Sequence, residues 1–194
     1  MRFIASMALM LIGVSANGAT ITFGEAYIDR LDLAGPQIEG DYTYQAFGEG
    51  WEIQEDEFGN PPAALVTFWN DESPALADYV ELYRTDGEVF YLQQLDYWSR
   101  DPEYQSNLVT ITGYRDGSVV GEFVIGQATI DPFLTVISSF GGAIDLLRLT
   151  VSSYGNATSI DNIALTSVPV PAAVWLFGSA LAGLGWMRRK KLSN

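Results

Sequence analysis

Acidic and aromatic side chains carry most of the chemical capacity of this 194-residue sequence, because it contains neither His nor Cys. A Ser-His-Asp triad, a Cys nucleophile and any His- or Cys-ligated zinc or haem site are therefore excluded. Residues 20–167 contain no Lys either, which excludes Schiff-base catalysis there. The chemistry that remains is that of a carboxylate pair or of a metal held by oxygen atoms.

The carboxylates are plentiful, but their spacing does not define a site. A glycoside hydrolase needs two carboxylates across a cleft, at a separation that the sequence alone does not give. One acidic run lacks the alternating Asp or Asn positions of a calcium loop. It consists of Glu52, Glu55, Asp56 and Glu57. We predict that the surrounding residues 50–62 form a long, exposed, solvated loop.

Aromatic residues stand near many of these acids. The most prominent are Trp51, Trp69, Tyr79, Tyr83, Tyr91, Tyr97 and Trp98. Sugar-binding faces combine flat rings with hydrogen-bonding carboxylates, although in most β-sandwiches such rings pack in the core. Tyr97 and Trp98 follow Asp96 and are adjacent in a predicted strand, so they face opposite ways and only one can be core. This pair is the candidate glycan platform.

The charge is concentrated between the two ends of the chain. Residues 20–167 hold five Arg and all 24 acidic residues, which gives this region a net charge of −19. Such a field repels nucleic acid and anionic lipid and attracts cations, and it also keeps an exported domain soluble. We therefore expect no nucleic-acid partner.

Apolar residues alternate with polar ones along seven short segments of the middle region, as in half-buried strands. These segments are 64–69, 78–83, 89–95, 108–112, 119–125, 146–151 and 160–165. Two hairpins are predicted from turn residues and pattern. One pairs Leu82 with Phe90 across a three-residue loop, and the other pairs Ile111 with Gly121 across a loop that ends at Gly117. The fold class is all-β, an antiparallel sandwich of two sheets with a jelly-roll-like arrangement.

Residues 159–165 resemble the closing strand of many jelly-roll carbohydrate-binding modules. In that arrangement the first and last strands lie near each other, and such modules often hold a structural Ca²⁺ there. The resemblance implies a calcium site that joins Glu25 to Asp161. No other cofactor is expected.

The N-terminus has the features of a secretory signal peptide. Arg2 supplies the positive charge, residues 3–14 form the apolar stretch, and residues 15–19 are the small residues before a cleavage site. Cleavage after Ala16 and cleavage nearer Ala19 both remain open. A signal peptidase is therefore an expected partner.

The C-terminus combines a proline motif, a short apolar segment and a basic end. Sixteen uncharged residues, 172–187, would span roughly 24 Å as a helix, workable in a bilayer core with snorkelling basic flanks. The motif comprises Val168, Pro169, Val170 and Pro171, and the basic end comprises Arg188, Arg189, Lys190 and Lys191. The basic residues should remain cytoplasmic, which places the acidic domain outside. A permanent single-span anchor is the alternative.

This tail resembles the PEP-CTERM class of bacterial sorting signals, in its VPLPA-CTERM variant. The original PEP-CTERM motif has Glu at the position of Val170, and the VPLPA-CTERM variant allows another residue there. The resemblance implies an exosortase-type processing enzyme in a Gram-negative bacterium that makes extracellular polysaccharide. It implies export across the inner membrane, transient anchoring and then residence at the cell surface or outside the cell.

The predicted organisation is a signal peptide at 1–19, an acidic β-sandwich at 20–167 and a sorting signal with one transmembrane helix at 168–194. The first functional hypothesis is a non-enzymatic surface or matrix protein associated with extracellular polysaccharide. The second is a carbohydrate-binding module with a definite glycan, and the third is a small glycoside hydrolase. One exposed aromatic platform would favour the second, and two carboxylates in a deep cleft the third.

Overall fold

The computed structural model describes residues 18–24, 28, 30–48, 51–55, 63–67, 78–99, 108–125, 133–151 and 158–168. All of them belong to one compact unit, Gly18–Val168. Residues 1–17 of the predicted signal peptide, the predicted tail from Pro169 onward and Glu25 lie outside the described residues. No helix in the described part of the chain is long and apolar enough to cross a membrane.

The described residues form a sandwich of two antiparallel sheets, as the strand pattern predicts. Sheet A contains β1 (Gly18–Ile21), β4 (Trp51–Glu55), β5 (Ala63–Thr67), β7 (Phe90–Ser99), β10 (Leu134–Ile137) and β12 (Thr158–Ser167). Sheet B contains β2 (Gln37–Glu39), β3 (Tyr42–Phe47), β6 (Tyr79–Arg84), β8 (Val109–Arg115), β9 (Ser118–Ile125) and β11 (Leu146–Val151). A single helical turn, α1 (Arg30–Leu33), precedes β2.

The strand order follows from four nested antiparallel pairs. From the outside of this nest inward, β5 pairs with β12, β6 with β11, β7 with β10 and β8 with β9. With the further pairs β7–β12, β4–β5, β11–β8, β3–β6 and β2–β3, sheet A has the order β10-β7-β12-β5-β4 and sheet B has the order β2-β3-β6-β11-β8-β9. Strand β1 pairs with the end of β12, so that Gly18 lies opposite Thr166.

One hydrophobic core lies between the sheets, and the alternation along each strand fills it. In sheet B, Val80 and Leu82 of β6 are buried, as are Leu147 and Leu149 of β11. In sheet A, β7 and β12 contribute buried residues such as Tyr97 and Ile160. Because the neighbours of the buried positions point the other way, each strand also presents a set of outward side chains.

The seven predicted strands are all present, but the predicted loop at residues 50–62 is wrong at its beginning. Strand β4 starts at Trp51 and pairs with β5, and the side chains of Trp51 and Ile53 are completely buried. The acidic residues of this stretch favoured a loop over a strand in the prediction. In the structure the residues alternate, Glu52 and Gln54 are only partly exposed, and Gln54 Nε2 donates to Glu52 Oε1 at 2.7 Å.

The predicted hairpin that pairs Leu82 with Phe90 is wrong. The turn itself is present, since Gly87 has a positive φ of 76° and its N–H donates to the Arg84 carbonyl. After the turn, however, the chain crosses to the other sheet, where Phe90 lies opposite Ser167. Arg84 binds Asp86 rather than facing Glu88. Local turn chemistry does not determine which sheet receives the next strand.

The second hairpin is confirmed, but with a different register. Its loop has two residues, Asp116 and Gly117, both with positive φ. A register shift near Gly113 then places Ile111 opposite Phe123, instead of the predicted Gly121. The bulge thereby keeps apolar residues on the core side without the longer loop.

Glycine is required where the ring of Phe140 packs on this hairpin. Gly113 and Gly121 lie opposite each other, and a methyl group added at either would lie 2.7 Å from a carbon of that ring. We expect Gly113→Ala to lower the free energy of unfolding by about 1–3 kcal/mol, because the added methyl overpacks the core. Urea unfolding measures this loss.

Gly141→Ala is the matched control, since an added methyl there would meet nothing within 4 Å. Equal stability of the two variants would contradict the packing argument for Gly113.

Candidate functional site

Outward side chains of three central strands of sheet B bring together aromatic, basic and acidic groups. Strand β6 contributes Tyr79, Glu81 and Tyr83, β8 contributes Thr112 and Tyr114, and β11 contributes Arg148. We call these six residues the tyrosine–arginine face. The five strand tyrosine, arginine and glutamate side chains are all partly exposed, whereas the intervening residues of each strand are buried in the core.

The register of the strands sets the order of these groups across the sheet. One row runs from Glu81 through Arg148 and Thr112 to Glu122 of β9. The neighbouring row places Tyr83 and Tyr114 on either side of Leu146. Two strand spacings separate these tyrosines, which corresponds to about 10 Å between their backbones.

Arg148 lies at the centre of the face. Its Nε and Nη2 both donate to Oε1 of Glu81, at 3.1 and 2.6 Å. Its guanidinium carbon lies 4.3 Å from the ring centre of Tyr79 and 5.1 Å from that of Tyr114. Partial burial lowers the pKa of Arg148, but the hydrogen bond and attraction to Glu81 outweigh it and raise the pKa overall.

The rings on this face differ in how much of them is free. Phe47 of β3 stacks on Tyr79 with a centroid distance of 4.8 Å, so Tyr79 is held between Phe47 and Arg148. Tyr114 has Arg148 on one side. The ring of Tyr83 contacts no other described ring. Among the rings of the described residues, Tyr83 and the far side of Tyr114 are therefore the ring surfaces of this face that no other described ring or guanidinium covers.

Hydrogen-bonding groups remain free beside these rings. Within the described part of the chain, neither Nη1 of Arg148 nor Oε2 of Glu81 makes a hydrogen bond. Thr112 Oγ1 donates to Oε2 of Glu122 at 3.1 Å. The face thus offers flat apolar surface together with donors and acceptors, which suits a ligand that has both C–H faces and hydroxyl groups.

The same geometry is unfavourable for glycoside hydrolysis. Glu81 and Glu122 are separated by three strand spacings, or about 14 Å between backbones. Glu81 is in an ion pair with Arg148, and Glu122 accepts from Thr112, so each carboxylate already has a partner. A hydrolase holds its two carboxyl groups roughly 5–10 Å apart across a cleft.

The predicted platform of Tyr97 and Trp98 is wrong for Tyr97. The Tyr97 side chain has no exposed surface and belongs to the core, because it lies opposite Ile160 on the inner side of sheet A. Trp98 points outward and is partly exposed, opposite Ser159, which is completely buried. The two residues therefore do not form one platform.

Asp161, the predicted calcium ligand, is buried at the bulge of β12. Only 2% of it is exposed, and its Oδ1 accepts from the N–H of Asn162 at 2.7 Å. Asn162 has a positive φ of 47° and donates through Nδ2 to Asp96 at 2.9 Å. The pKa of Asp161 is raised to about 7, mainly by burial and also by the charges of Asp96 and Glu39, although the Asn162 hydrogen bond lowers it.

The described residues do not by themselves complete a metal site at Asp161. No three acidic side chains among them are grouped closely enough to hold a metal ion. Asp96 lies opposite Asp161 in register, and Glu39 accepts from Thr22 through one oxygen, while its other oxygen is buried and has no hydrogen-bond partner in the described part of the chain. A site here would need Glu25, which lies outside the described residues.

Sequence reasoning missed Arg148 and Tyr114 as members of a site. The available signal was period two, since Tyr79, Glu81 and Tyr83 alternate with apolar residues in one predicted strand and Arg148 alternates in another. What the pattern did not provide was the register that places Glu81 beside Arg148, 67 residues away.

Comparisons with known proteins give similarity in structure only. No protein-family model matches the chain, and no curated protein matches it. CBM29_1, a family 29 carbohydrate-binding module from Piromyces equi, is 13% identical with a TM-score of 0.43, over 80% of this chain and 93% of that one. A CBM29-2 mutant complexed with mannohexaose is 14% identical with a TM-score of 0.45, over 79% and 93%.

The C-terminal domain of a chitobiase from Bacteroides fragilis is 15% identical with a TM-score of 0.35, over 54% of this chain and 72% of that one. Similarities this low carry no argument about what this chain binds.

Proposed function

We propose that this chain is an exported, non-enzymatic carbohydrate-binding module whose tyrosine–arginine face holds an extracellular polysaccharide. The observation that carries the proposal is the partly exposed rings of Tyr83 and Tyr114 beside polar atoms of Arg148 and Glu81 that make no hydrogen bond to any described residue. Rings stack on the C–H faces of sugars, and the polar atoms bind hydroxyl groups. This combination favours a module with a definite glycan over a matrix protein without a preferred ligand.

A glycan array tests this proposal directly. The full-length chain, purified in a detergent that has no sugar headgroup, should bind a restricted set of polysaccharides and leave them uncleaved. Absence of binding to every glycan would return the protein to the matrix-protein hypothesis. Turnover of a polysaccharide that is abolished by Glu81→Gln or Glu122→Gln would instead establish a hydrolase.

The four nested strand pairs support a jelly roll as the finer description of the sandwich. Counted from β5 to β12, the eight strands pair first with last, second with seventh, third with sixth and fourth with fifth. A single long hairpin wrapped around the core produces this order, as in a double Greek key.

Export and sorting are a second part of the proposal, and they rest on the two ends of the sequence. A signal peptidase would release the N-terminus, and an exosortase-type enzyme would cut near Pro169 and Pro171 after transient membrane anchoring by residues 172–187. The mature module would then reside at the surface of a Gram-negative cell or outside it, where polysaccharide is its partner.

The mature protein is expected to begin near Asn17 and to lack residues 175–191. Cleavage after Ala16 leaves β1 whole, whereas cleavage after Ala19 would remove the two residues that pair with Thr166 and Leu165. Intact-mass analysis of protein recovered from the native host measures both ends. A surface species that retains residues 175–191 would indicate a permanent anchor instead.

A structural Ca²⁺ at Glu25 and Asp161 is the one cofactor proposed. A specific site raises the free energy of unfolding by about 2.7 kcal/mol when calcium is a hundredfold above its Kd. Thermal melts in EDTA, Mg²⁺ and Ca²⁺ at equal ionic strength measure this gain, which Mg²⁺ should not match. Equal melting in Mg²⁺ and Ca²⁺ would contradict the site. A calcium shift that survives Asp161→Asn would contradict the role of Asp161 and make the acidic run from Glu52 to Glu57 the next candidate.

A further inference from the structure

We infer that the tyrosine–arginine face selects uncharged glycans and recognises two neighbouring hydroxyl groups through the Arg148–Glu81 ion pair. This inference rests on the proposed function and adds the class of ligand. It follows from which atoms of the ion pair are already bound, which remain free, and how charge is distributed over the face.

The guanidinium of Arg148 is the group that would otherwise attract a carboxylate or sulfate. A bidentate anion uses two parallel N–H groups of the arginine fork. In this protein, Nε and Nη2 both donate to one oxygen of Glu81, at 3.1 and 2.6 Å, so one edge of the fork is occupied. An acidic sugar could therefore reach Arg148 only at its remaining edge, where the charge of the guanidinium is already neutralised by Glu81.

The remaining charge on the face repels anions. Across the outward rows of β3, β6, β11, β8 and β9, the charged residues are Glu81, Arg148 and Glu122, which leaves one net negative charge. The whole chain carries −14. A polyanionic glycan would therefore approach a surface of its own sign.

The free atoms of the ion pair suit a pair of sugar hydroxyls. Nη1 of Arg148 offers donors and Oε2 of Glu81 offers an acceptor, and neither makes a hydrogen bond to another described residue. A hydroxyl group can both accept and donate. One hydroxyl would accept from Nη1 and its neighbour would donate to Oε2, while the sugar ring lies against Tyr114 or Tyr83.

Two polysaccharides, each compared in a neutral and a charged form, test this inference. Hydroxyethylcellulose and galactomannan are the neutral probes, and carboxymethylcellulose and galactomannan oxidised at its primary hydroxyls are the charged ones. Affinity electrophoresis of the full-length chain should show at least about tenfold tighter binding to a neutral form than to its charged counterpart. On a glycan array, neutral members should predominate.

A preference for the charged forms, or an array in which only acidic glycans bind, would overturn the inference while the proposed function stands. Absence of binding to every polysaccharide would overturn the proposed function and the inference with it.

Glu81→Gln is expected to reverse the preference. It keeps a side chain of the same shape but removes the charge that occupies Arg148, so binding of the charged probes should rise about tenfold while binding of the neutral probes falls. Glu122→Gln removes the same charge from the same row without touching Arg148, and it should leave the preference unchanged. An equal gain for both variants would show that net charge alone decides, which would overturn the role of the ion pair.

Discussion

Raising the pH from about 5 to about 8.5 in EDTA is expected to lower the melting temperature of this protein by roughly 8 °C, and Asp161→Asn should remove most of that fall. Asp161 is buried beside Asp96 and Glu39, and its pKa is raised from 3.8 to about 7. Its proton is therefore held more tightly in the folded chain than in the unfolded chain.

The sign of the effect follows from this difference. Below pH 3.8 both states hold the proton and the stabilisation is complete, on the order of 4 kcal/mol for a shift of about three units. As the pH rises, the unfolded chain releases its proton first, and the stabilisation is lost progressively until the folded pKa near 7 is passed. The share lost between about pH 5 and pH 8.5 is roughly 3 kcal/mol.

Asparagine at position 161 mimics the protonated acid, because it is neutral and keeps an oxygen that can accept from the Asn162 N–H. The variant should therefore melt higher than the parent at pH 8.5. Asp116→Asn is the matched control, since Asp116 is exposed at the tip of a hairpin where Asn is equally suitable. A parent and an Asp161→Asn variant that fall equally would mean that Asp161 is already ionised in the fold.

The sandwich was predictable from the sequence because alternation is a local property of each strand. Seven segments with clear period two are strands in the structure. A first strand before Glu25 was also expected and is β1, whereas the missed strands are β2, β3, β4 and β10, most of them short. Strand β4 was hidden by its acidic residues, although Trp51 and Ile53 alternate correctly and are fully buried.

The site was less predictable because it depends on cross-strand register. The turn after Arg84 was recognised, yet the strand that follows enters the other sheet, so the neighbours of Tyr83 come from β3 and β11 rather than from β7. Tyr97 and Trp98 face opposite ways, as predicted. The exposed one of the two, Trp98, lies on sheet A, however, and not on the tyrosine–arginine face of sheet B. Which strands pair over long sequence separations depends on the packing of the whole core, and the apolar pattern of a single strand does not predict that pairing.

Replacing Tyr83 or Tyr114 by Ala is expected to weaken glycan binding at least about tenfold each, or about 1.4 kcal/mol. Each substitution removes an open ring surface from the face but leaves the buried neighbours of the strand in place. Arg148 contacts Tyr114, so Tyr83→Ala is the cleaner of the two variants. Circular dichroism melts confirm that each variant remains folded.

Tyr91→Ala is the matched control, because Tyr91 is 39% exposed but lies in β7 of the other sheet. Isothermal titration of the parent, Tyr91→Ala and the Tyr83→Ala/Tyr114→Ala double variant with the polysaccharide found by the array is the most direct measurement. Binding should be the same for the parent and Tyr91→Ala, and lost in the double variant. Unchanged binding by the double variant would contradict the assignment of the tyrosine–arginine face as the glycan-binding site.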